Sequence, residues 1–421
     1  MDDAPIYIDN HATTRVDPRV LEAILPYLTE AYGNAGSVNH RFGADAKQAV
    51  DRSREIVSAA IGAKPQEIVF TSGATESNNL AILGVAEANA RHGGHMVSVV
   101  TEHPSVLEPL EKLGQRGLDV TLLPVCPACD DFAGRVLLQR VSEAIRDDTL
   151  LVSVMMANNE IGVIQPIQEI GEICRQCGVL LHTDATQAVG RLPVDVDELL
   201  VDLLSFSGHK MYGPKGIGGL YVRRRAPRAK VKAIQFGGGQ ERGLRSGTLN
   251  VPGIVGLATA IELCLEEMPA EQGRLRDLRD LLHHELVSAV PDITLNGPAF
   301  ASHLRLANNL NLCFPRIDGE TLLLSARNVA ASSGSACASA KPEPSHVLRN
   351  LGLSEDAARS SVRFGLGRFN TEEDVTRAAA LIINAVKDLR ALGPESALCC
   401  GGNCPDDSVV QLGGAATKRG S

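Results

Sequence analysis

One stretch organises the chain and reads Ser205-Phe206-Ser207-Gly208-His209-Lys210-Met211-Tyr212-Gly213-Pro214-Lys215-Gly216. The apolar runs at 199–204 before it and 217–222 after it predict buried strands. A lysine in a small-residue loop between two buried strands is expected at the floor of a cleft. Burial favours the neutral form of an amine, and a neutral amine attacks aldehydes, so Lys210 is a candidate Schiff-base lysine. Taken alone, the stretch also fits a surface lysine in a glycine turn.

The composition disfavours several classes of function. A formal charge of -9 argues against a nucleic-acid-binding surface, because phosphate contacts need a basic face. No apolar run approaches the roughly 20 residues that cross a bilayer, so we expect no membrane span. The start Met1-Asp2-Asp3 lacks the basic and apolar parts of a secretion signal, which predicts a cytoplasmic protein. In that compartment most of the ten cysteines should be reduced thiols.

Apolar runs alternate with helical patterns from residue 67 onward, which predicts an α/β fold. The runs expected to be strands are 68–70, 96–100, 120–125, 150–156, 179–181, 199–204 and 217–222. Strands joined through helices form a mostly parallel sheet that is covered on both faces, and ligands bind at its carboxyl edge. The side chains just past the predicted strand ends should therefore meet at one edge: Thr75, His103, Asn159, Asp184, Gln187 and Lys210.

The second part of the chain differs in character and predicts a smaller α+β domain. Helical patterns at 255–267 and 275–287 are separated by Met268-Pro269, where the character changes. We predict a large domain over 15–265 and a small domain over 1–14 and 266–394. The tail at 395–421 is rich in glycine, serine and aspartate and carries three cysteines, and we expect it to be flexible.

An anion site is predicted at Ser72-Gly73-Ala74-Thr75, between a strand and a helix. The free backbone N–H groups and the positive dipole end of a helix N-terminus bind phosphate, and small residues let the phosphate approach. Ser207 and His209, on either side of Gly208, could donate further hydrogen bonds to the same phosphate. An ordinary capped helix start is the alternative.

Three side chains are candidates for binding an aromatic cofactor ring. Asp184, at a buried strand end, needs a cation or hydrogen bonds, and a protonated pyridine nitrogen would supply the cation and act as an electron sink. Gln187 could donate a hydrogen bond to a phenolic oxygen of the ring. His103 could stack on the ring and handle protons, although it also fits a hydrogen-bonded turn histidine.

The second domain contributes the segment 331–340, in which small and polar residues surround Cys337. Such a segment cannot build a core, so a purely structural role for this thiol is disfavoured. A thiol on a mobile loop suits a nucleophile that enters a cleft and then leaves it. Arg363 lies in an alternating stretch, where its guanidinium could clamp a substrate carboxylate or form an ion pair between the domains.

With these residues assembled, the chain resembles the NifS-like cysteine desulfurases, which belong to the fold-type-I pyridoxal-phosphate enzymes. The resemblance covers residues 5 to 390. Its most specific parts are Ser207-Gly208-His209-Lys210, the loop 242–248 and Ser333-Gly334-Ser335-Ala336-Cys337. It implies a mostly parallel, seven-stranded large domain, pyridoxal 5'-phosphate as the cofactor, L-cysteine as the substrate, and a homodimer.

The resemblance also implies a role for each matched residue. Lys210 forms the Schiff base with the cofactor, and Asp184 pairs with the ring nitrogen. Gln187 contacts the ring hydroxyl, while His103 stacks on the ring and handles the proton of the substrate thiol. Cys337 receives the sulfur as a persulfide and delivers it to an iron–sulfur scaffold protein or another acceptor.

Two groups of binding residues complete the implied site. Asn159 and Arg363 hold the substrate carboxylate, and Asn159 also contacts the cofactor. No resident metal is implied, although Cys337 could ligate a cluster. The residues implied in phosphate binding are Ala74, Thr75, Ser207, His209 and Thr248, the last reaching across from the other subunit.

Several cysteines depart from the family pattern. Cys126 and Cys129 have the spacing that binds zinc or cycles as a dithiol. Cys174 and Cys177 share that spacing, but Cys174 continues an apolar helix stripe, which favours core packing. The tail adds three cysteines that could relay persulfide, hold a metal or cluster with another chain, or have no role: Cys399, Cys400 and Cys404.

Other functions remain open at this point. A selenocysteine lyase or another carbon–sulfur lyase would share the cofactor site. An aminotransferase of the same fold is disfavoured, because it has no use for Cys337 on a mobile loop. A scaffold protein that binds an iron–sulfur cluster through its cysteines would be brown and would lack the yellow of a bound aldehyde cofactor.

Overall fold

The structure is a computed structural model that describes residues 4–89, 94–226, 228–300, 303–333, 343–392 and 410–412. The strands are β1 (Ile6–Tyr7), β2 (Ile68–Thr71), β3 (His95–Val99), β4 (Asp119–Leu123), β5 (Thr149–Ser153), β6 (Leu180–Asp184), β7 (Leu203–Ser207), β8 (Gly218–Val222), β9 (Thr294–Leu295), β10 (Asn309–Cys313), β11 (Val329–Ala330), β12 (Ser361–Gly365) and β13 (Val410–Leu412). The helices are α1 (Pro18–Thr29), α2 (Arg41–Ala59), α3 (Ala74–Ala88), α4 (Pro104–Gln115), α5 (Leu138–Ala144), α6 (Ile167–Cys177), α7 (Val251–Ala289), α8 (Gly319–Ser325), α9 (His346–Asn350), α10 (Glu355–Arg359) and α11 (Glu372–Leu392).

The largest sheet of the described residues has the strand order β13-β4-β3-β5-β6-β7-β8-β2. Strands β4, β3, β5, β6 and β7 are parallel to their neighbours in this series, whereas β8 is antiparallel to both β7 and β2. Apolar side chains such as Val97 and Leu151 fill the two faces of this sheet. The predicted α/β class and the mostly parallel sheet are therefore confirmed.

The seven strands expected for the large domain are present as β2 to β8, and the sheet has one further strand from the tail. Strand β13 (Val410–Leu412) pairs antiparallel with β4 and makes the sheet eight-stranded. The outer edge of β4 offers unpaired backbone groups with which such a segment can pair. The flexibility expected of the tail as a whole stays a prediction.

The strand before the central lysine lies further along the chain than predicted. Residues near Asp195 form a turn instead, because its carboxylate accepts hydrogen bonds from the backbone N–H groups of Asp197 and Glu198. Leu200 then adopts a positive φ of 55°, which ends any extended run there. Strand β7 consequently reaches Ser207, and Lys210 follows it within a short 3₁₀ turn.

The two helices predicted on either side of Pro269 are one continuous helix, α7. Its first half packs Leu257 and Ile261 into the core of the large sheet. Its second half packs Leu278 and Leu282 into a separate core with residues of β10 and β12. An interior proline costs about 3 kcal/mol, and full burial of each of these side chains gains about 1.5–3 kcal/mol, so the helix continues. The predicted domain boundaries stay a prediction.

The smaller core carries the sheet β12-β10-β9, which is antiparallel and places Arg363 opposite Asn311. An isolated bridge joins Arg363 to Ser332, and another joins Gly365 to Asp9 near the start of the chain. These pairings carry Arg363 to the boundary between the two cores. Among the described helices, none is both long enough and apolar enough to span a bilayer.

Candidate active site

A cavity of about 1000 Å³ opens at the carboxyl edge of the parallel strands. It brings together most of the residues predicted from the sequence, namely Ala74, Thr75, His103, Asn159, Asp184, Gln187, Ser207, His209, Lys210 and Arg363. Thr248 is exposed and lies outside this lining. Cys337 lies outside the described residues, but Ser332 and Glu343, on either side of the segment around it, both line the cavity.

Lys210 lines the cavity and is half-buried, so the alternative of a plain surface lysine is wrong. Its Nζ donates hydrogen bonds to the backbone carbonyls of His11 and Ala12, the latter at 2.7 Å. Its own carbonyl accepts a hydrogen bond from the guanidinium of Arg191 at 3.0 Å. The amine is thus held by backbone groups of the N-terminal segment, within the cavity that a bound aldehyde would enter.

The Asp184 carboxylate is 6% exposed at the end of β6. Its Oδ2 accepts a hydrogen bond from Asn78 Nδ2 at 2.7 Å, and its Oδ1 accepts one from the backbone N–H of Thr186 at 3.0 Å. Each carboxylate oxygen can accept more than one hydrogen, so both oxygens retain acceptor capacity toward the cavity. The site therefore holds a positioned anionic group that suits a protonated ring nitrogen.

Gln187 is held between the N-terminal segment and Arg191. Its Nε2 donates to the His11 carbonyl at 3.0 Å, while its Oε1 lies 2.9 Å from Arg191 Nη1 and 3.1 Å from His11 Nδ1. These neighbours fix the orientation of the amide. An amide nitrogen has two hydrogens, so the second remains for an acceptor such as a phenolic oxygen.

The N-terminus of α3 also lines the cavity, through residues 72–76. Its N-cap is Gly73, which contributes no side-chain cap and adopts a φ of 148° that L-residues rarely reach. A side chain at Gly218 would approach the Gly73 backbone within 2.7 Å, so a small residue is required there too. The Ser207 hydroxyl lies 3.6 Å from the position that a Gly73 Cβ would take. The helix start therefore has no side-chain cap, and the anion site stays a prediction.

Charges around this helix end leave it suited to an anion. Glu76 lines the cavity, but its carboxylate accepts from the Ser72 N–H at 2.7 Å and pairs with Arg245 at 2.8 Å. Burial, together with the charges of Lys210 and Lys215, lowers the pKa of the His209 imidazole to about 4. His209 is consequently a neutral hydrogen-bonding group near pH 7, and its Nδ1 lies 3.1 Å from Thr13 Oγ1.

His103 is the N-cap of α4 and also lines the cavity, so it is a hydrogen-bonded turn histidine as well as a site residue. Its Nδ1 accepts a hydrogen bond from the backbone N–H of Ser105 at 3.1 Å and lies 2.8 Å from Ser105 Oγ. Burial lowers the pKa of the imidazole below its ordinary value. The ring is therefore fixed by its own helix.

Arg363 is 6% exposed and contacts protein groups from the N-terminal segment and from the loop after β5. Its Nη2 pairs with Asp9 Oδ1 at 2.8 Å, and its Nη1 donates to the Asn159 carbonyl at 3.2 Å. It nevertheless lines the cavity together with Asp9 and Asn159. A guanidinium has five N–H donors, so these contacts leave donors for a carboxylate.

Several residues that shape this site were not singled out in the sequence. Asn78 and Ser105 support Asp184 and His103, while His11 and Arg191 support Gln187. Asn78 and His11 contact their partners across long sequence separations, whereas Ser105 and Arg191 lie close in sequence to His103 and Gln187. Regular spacing or strand ends could not have revealed them.

The described cysteines do not form a metal centre. Cys126 is buried and Cys129 is exposed, and the described residues contain no group of three or more His, Cys, Asp or Glu side chains that could hold a metal. Cys174 belongs to the core of the large sheet, as its helix stripe predicted. The tail cysteines lie outside the described residues, and any role for them stays a prediction.

The chain matches the family model "Aminotransferase class-V" over residues 6–378. It is similar to "Cysteine desulfurase IscS" of Anaeromyxobacter dehalogenans, with 52% identity over 93% of this chain and 94% of that protein. The chain belongs to the class-V aminotransferase family, among its cysteine desulfurases. The predicted family is thereby confirmed, and the enzyme is pyridoxal-phosphate-dependent as the resemblance implied.

Solved structures agree with this assignment. The structure named "NIFS-LIKE PROTEIN" matches with a TM-score of 0.83 and 37% identity, covering 91% of this chain and all of that one. The structure named "SspA in complex with cysteine" matches with a TM-score of 0.75 and 37% identity, covering 87% and 99% of the two chains. The enzyme thus has the fold-type-I architecture that the sequence predicted.

The residues present fit pyridoxal 5'-phosphate. The glycine-bounded helix end offers backbone N–H groups to a phosphate, and Asp184 offers a carboxylate to a protonated ring nitrogen. Gln187 retains an N–H for the ring hydroxyl, and Lys210 offers the amine that would capture the aldehyde. The donor set therefore has a partner for each polar group of this cofactor.

Proposed function

We propose that the enzyme removes sulfur from L-cysteine, releases L-alanine and leaves a persulfide on Cys337. An iron–sulfur scaffold protein or another acceptor would then receive the sulfur. The observation that carries this proposal is the shared cavity, in which Lys210, Asp184 and Arg363 meet beside both described ends of the segment 334–342. That arrangement suits a thiol delivered from a loop to a substrate held against the cofactor.

Lys210 would hold the cofactor covalently and, once displaced by the substrate amine, would move the proton at the substrate Cα. When bound, the cofactor supplies an aldehyde that captures amines and a ring that takes up electrons. Asp184 would keep the ring nitrogen protonated, and Gln187 would hydrogen-bond the ring hydroxyl. His103 would stack on the ring and contact the substrate thiol.

Binding of the two anionic groups would be divided between the ends of the cavity. The carboxylate of L-cysteine would lie against Arg363 and Asn159, at the boundary of the two cores. The phosphate would lie at the start of α3, held by backbone and side-chain donors of Ala74, Thr75, Ser207, His209 and, from the other subunit, Thr248. This division would fix the orientation of the substrate relative to the cofactor.

Sulfur transfer would follow from the thiol of Cys337. Its thiolate attacks the substrate sulfur, an S–S bond forms, and the carbon–sulfur bond breaks. The three-carbon remainder gains protons and leaves as alanine. Cys337 keeps the sulfur as a persulfide, which is the species passed to the acceptor.

We also propose a homodimer in the cytoplasm. Thr248 is exposed outside the cavity of its own chain, which fits a residue that reaches a neighbouring subunit. The α1 region exposes apolar side chains that a subunit interface would cover, including Leu21, Leu25, Leu28 and Tyr32. No disulfide joins the six described cysteines to one another, which fits a reducing compartment.

The substitution Cys337→Ser tests the transfer step. We expect the variant to keep the absorption of the bound cofactor but to lose multiple turnover and persulfide formation with a thiol acceptor, because a hydroxyl is a poor nucleophile toward sulfur. Alanine release and persulfide content on peptide mapping are the measurements. Cys177→Ser, at an exposed thiol outside the cavity, is the matched control and should keep both. Full turnover in Cys337→Ser would contradict the proposal.

A further inference from the structure

A continuous line of hydrogen bonds joins Asp184 to His103 through two residues that the reaction does not otherwise use. Asn78 Nδ2 donates to Asp184 Oδ2 at 2.7 Å and to Ser105 Oγ at 2.9 Å. Ser105 Oγ in turn lies 2.8 Å from His103 Nδ1. Asn78 is fully buried and Ser105 is 7% exposed, so water does not compete for these contacts. The donor and the acceptor of each hydrogen bond in this line can therefore be assigned.

The assignment follows from counting hydrogens along the line. Asn78 must turn its Nδ2 toward the Asp184 carboxylate, because its own carbonyl oxygen there would be repelled. Nδ2 has two hydrogens, one for Asp184 and one for Ser105 Oγ. The Ser105 hydroxyl accepts from Asn78, so its own hydrogen is free to point at His103 Nδ1. The Asn78 Oδ1 remains buried without a partner among the described residues. The hydrogen bond to the charged Asp184 carboxylate outweighs the cost of leaving this oxygen unpaired.

His103 Nδ1 thus receives two hydrogens, one from the Ser105 hydroxyl and one from the Ser105 backbone N–H. A nitrogen that accepts hydrogen bonds through its lone pair cannot carry a proton of its own. A neutral imidazole must then carry its hydrogen on Nε2. The N-terminus of α4, which His103 caps, carries a partial positive charge that also opposes a second proton on the ring.

Resting on the function proposed above, we propose that Asn78 and Ser105 are positioning residues that hold His103 as the neutral tautomer with its hydrogen on Nε2. In this form His103 meets the substrate as a hydrogen-bond donor. It cannot take a proton at Nε2, which already has one, and its lone pair at Nδ1 is occupied. The same line ties the orientation of His103 to the carboxylate that faces the ring nitrogen.

Charged groups from the neighbouring elements act on this ring in both directions. Asp184, at the end of β6, and Glu108, on α4, favour the protonated imidazole. Lys210, in the turn after β7, and His346, on α9, oppose it. Burial is the largest influence and lowers the pKa of His103. The balance agrees with the neutral form that the hydrogen bonds require.

Nitrogen NMR of the holoenzyme, labelled with 15N-histidine and assigned with His103→Gln, tests the proposal directly. At pH 6, where an ordinary histidine with a pKa near 6.5 is mostly protonated, we expect His103 to show a protonated Nε2 and an unprotonated Nδ1. An imidazolium at pH 6, or a hydrogen on Nδ1 of the neutral ring at pH 7 to 8, would overturn the proposal. This measurement needs no variant that might fail to fold.

The substitution Ser105→Ala adds a test of the positioning role. Loss of the hydroxyl donor should increase the proton affinity of His103 about fivefold, and the acid limb of the kcat profile should move to higher pH. Ser98→Ala is the matched control, since it removes a buried hydroxyl on β3 that bonds a backbone carbonyl away from His103. Equal behaviour of the two variants would contradict the role of Ser105. The tautomer is read without turnover, so absent desulfurase activity would refute the proposed function alone.

Discussion

The part of the cavity proposed to bind the cofactor, around Asp184 and Lys210 (the cofactor half), is built differently from the part proposed to bind the substrate, around Arg363 (the substrate half). In the cofactor half, Asp184 and Lys210 follow the neighbouring strands β6 and β7, and their positions are set by one sheet. In the substrate half, Arg363 pairs with Asp9 across 354 residues and with Asn159 across 204 residues. The first half is a property of the sheet edge, whereas the second depends on how the two cores meet.

This difference predicts that substitutions in the two halves should cause different defects. Side chains in the cofactor half are anchored by buried neighbours such as Asn78, so under the proposed function a change there should alter the chemistry of the bound ring. Arg363 is anchored by an ion pair at the boundary of the cores, so a change there should alter substrate binding and leave the cofactor in place. If substitutions in the two halves caused the same kinetic and spectroscopic defect, the distinction between the halves would be wrong.

The largest effect is expected from Asp184→Asn. A neutral amide cannot balance a protonated ring nitrogen, and hydrogen bonds to charged groups are worth about 1.5–3 kcal/mol, so kcat/KM should fall about 100-fold. Steady-state alanine formation and the absorption spectrum of the bound cofactor measure this change. Asp202→Asn, at a buried aspartate outside the cavity, is the control and should leave the spectrum unaltered. Unchanged kinetics in Asp184→Asn would show that the ring nitrogen lies elsewhere.

A smaller effect is expected from Arg363→Lys. The planar guanidinium can bind Asp9, the Asn159 carbonyl and a carboxylate together, and an ammonium group cannot reproduce that geometry. We expect KM for L-cysteine to rise about 10-fold, with the cofactor spectrum intact. Arg359→Lys, in an exposed ion pair on α10, is the matched control. A loss of cofactor, or an unaltered KM, would contradict the division between the two halves.

The sequence predicted the cofactor half well, because strand ends and small-residue turns are local signals. Asp184, Ser207 and Lys210 each follow an apolar run, and the sheet brings those ends together. The exact limits of β7 could not be predicted, since the side-chain contacts of Asp195 shift its start. The continuity of α7 through Pro269 also depends on packing against two cores, which no local pattern contains.

The residues that support the site could not be predicted from the sequence. Asn78 and Ser105 are ordinary helix residues by composition, and the packing of α3 against α4 and β6 brings Asn78 to Ser105 and Asp184. Asp9 could not be singled out in the sequence, because its partner Arg363 lies near the other end of the chain. Polar contacts of this kind follow from the tertiary fold, and not from the order of residues.

The central claim is that one lysine at the sheet edge holds the cofactor covalently. Borohydride reduction of the holoenzyme makes that bond permanent, and peptide mass spectrometry then identifies the modified residue. We predict the pyridoxyl group on Lys210. Its appearance on Lys215, which lines the same cavity, or on no lysine at all, would contradict the account.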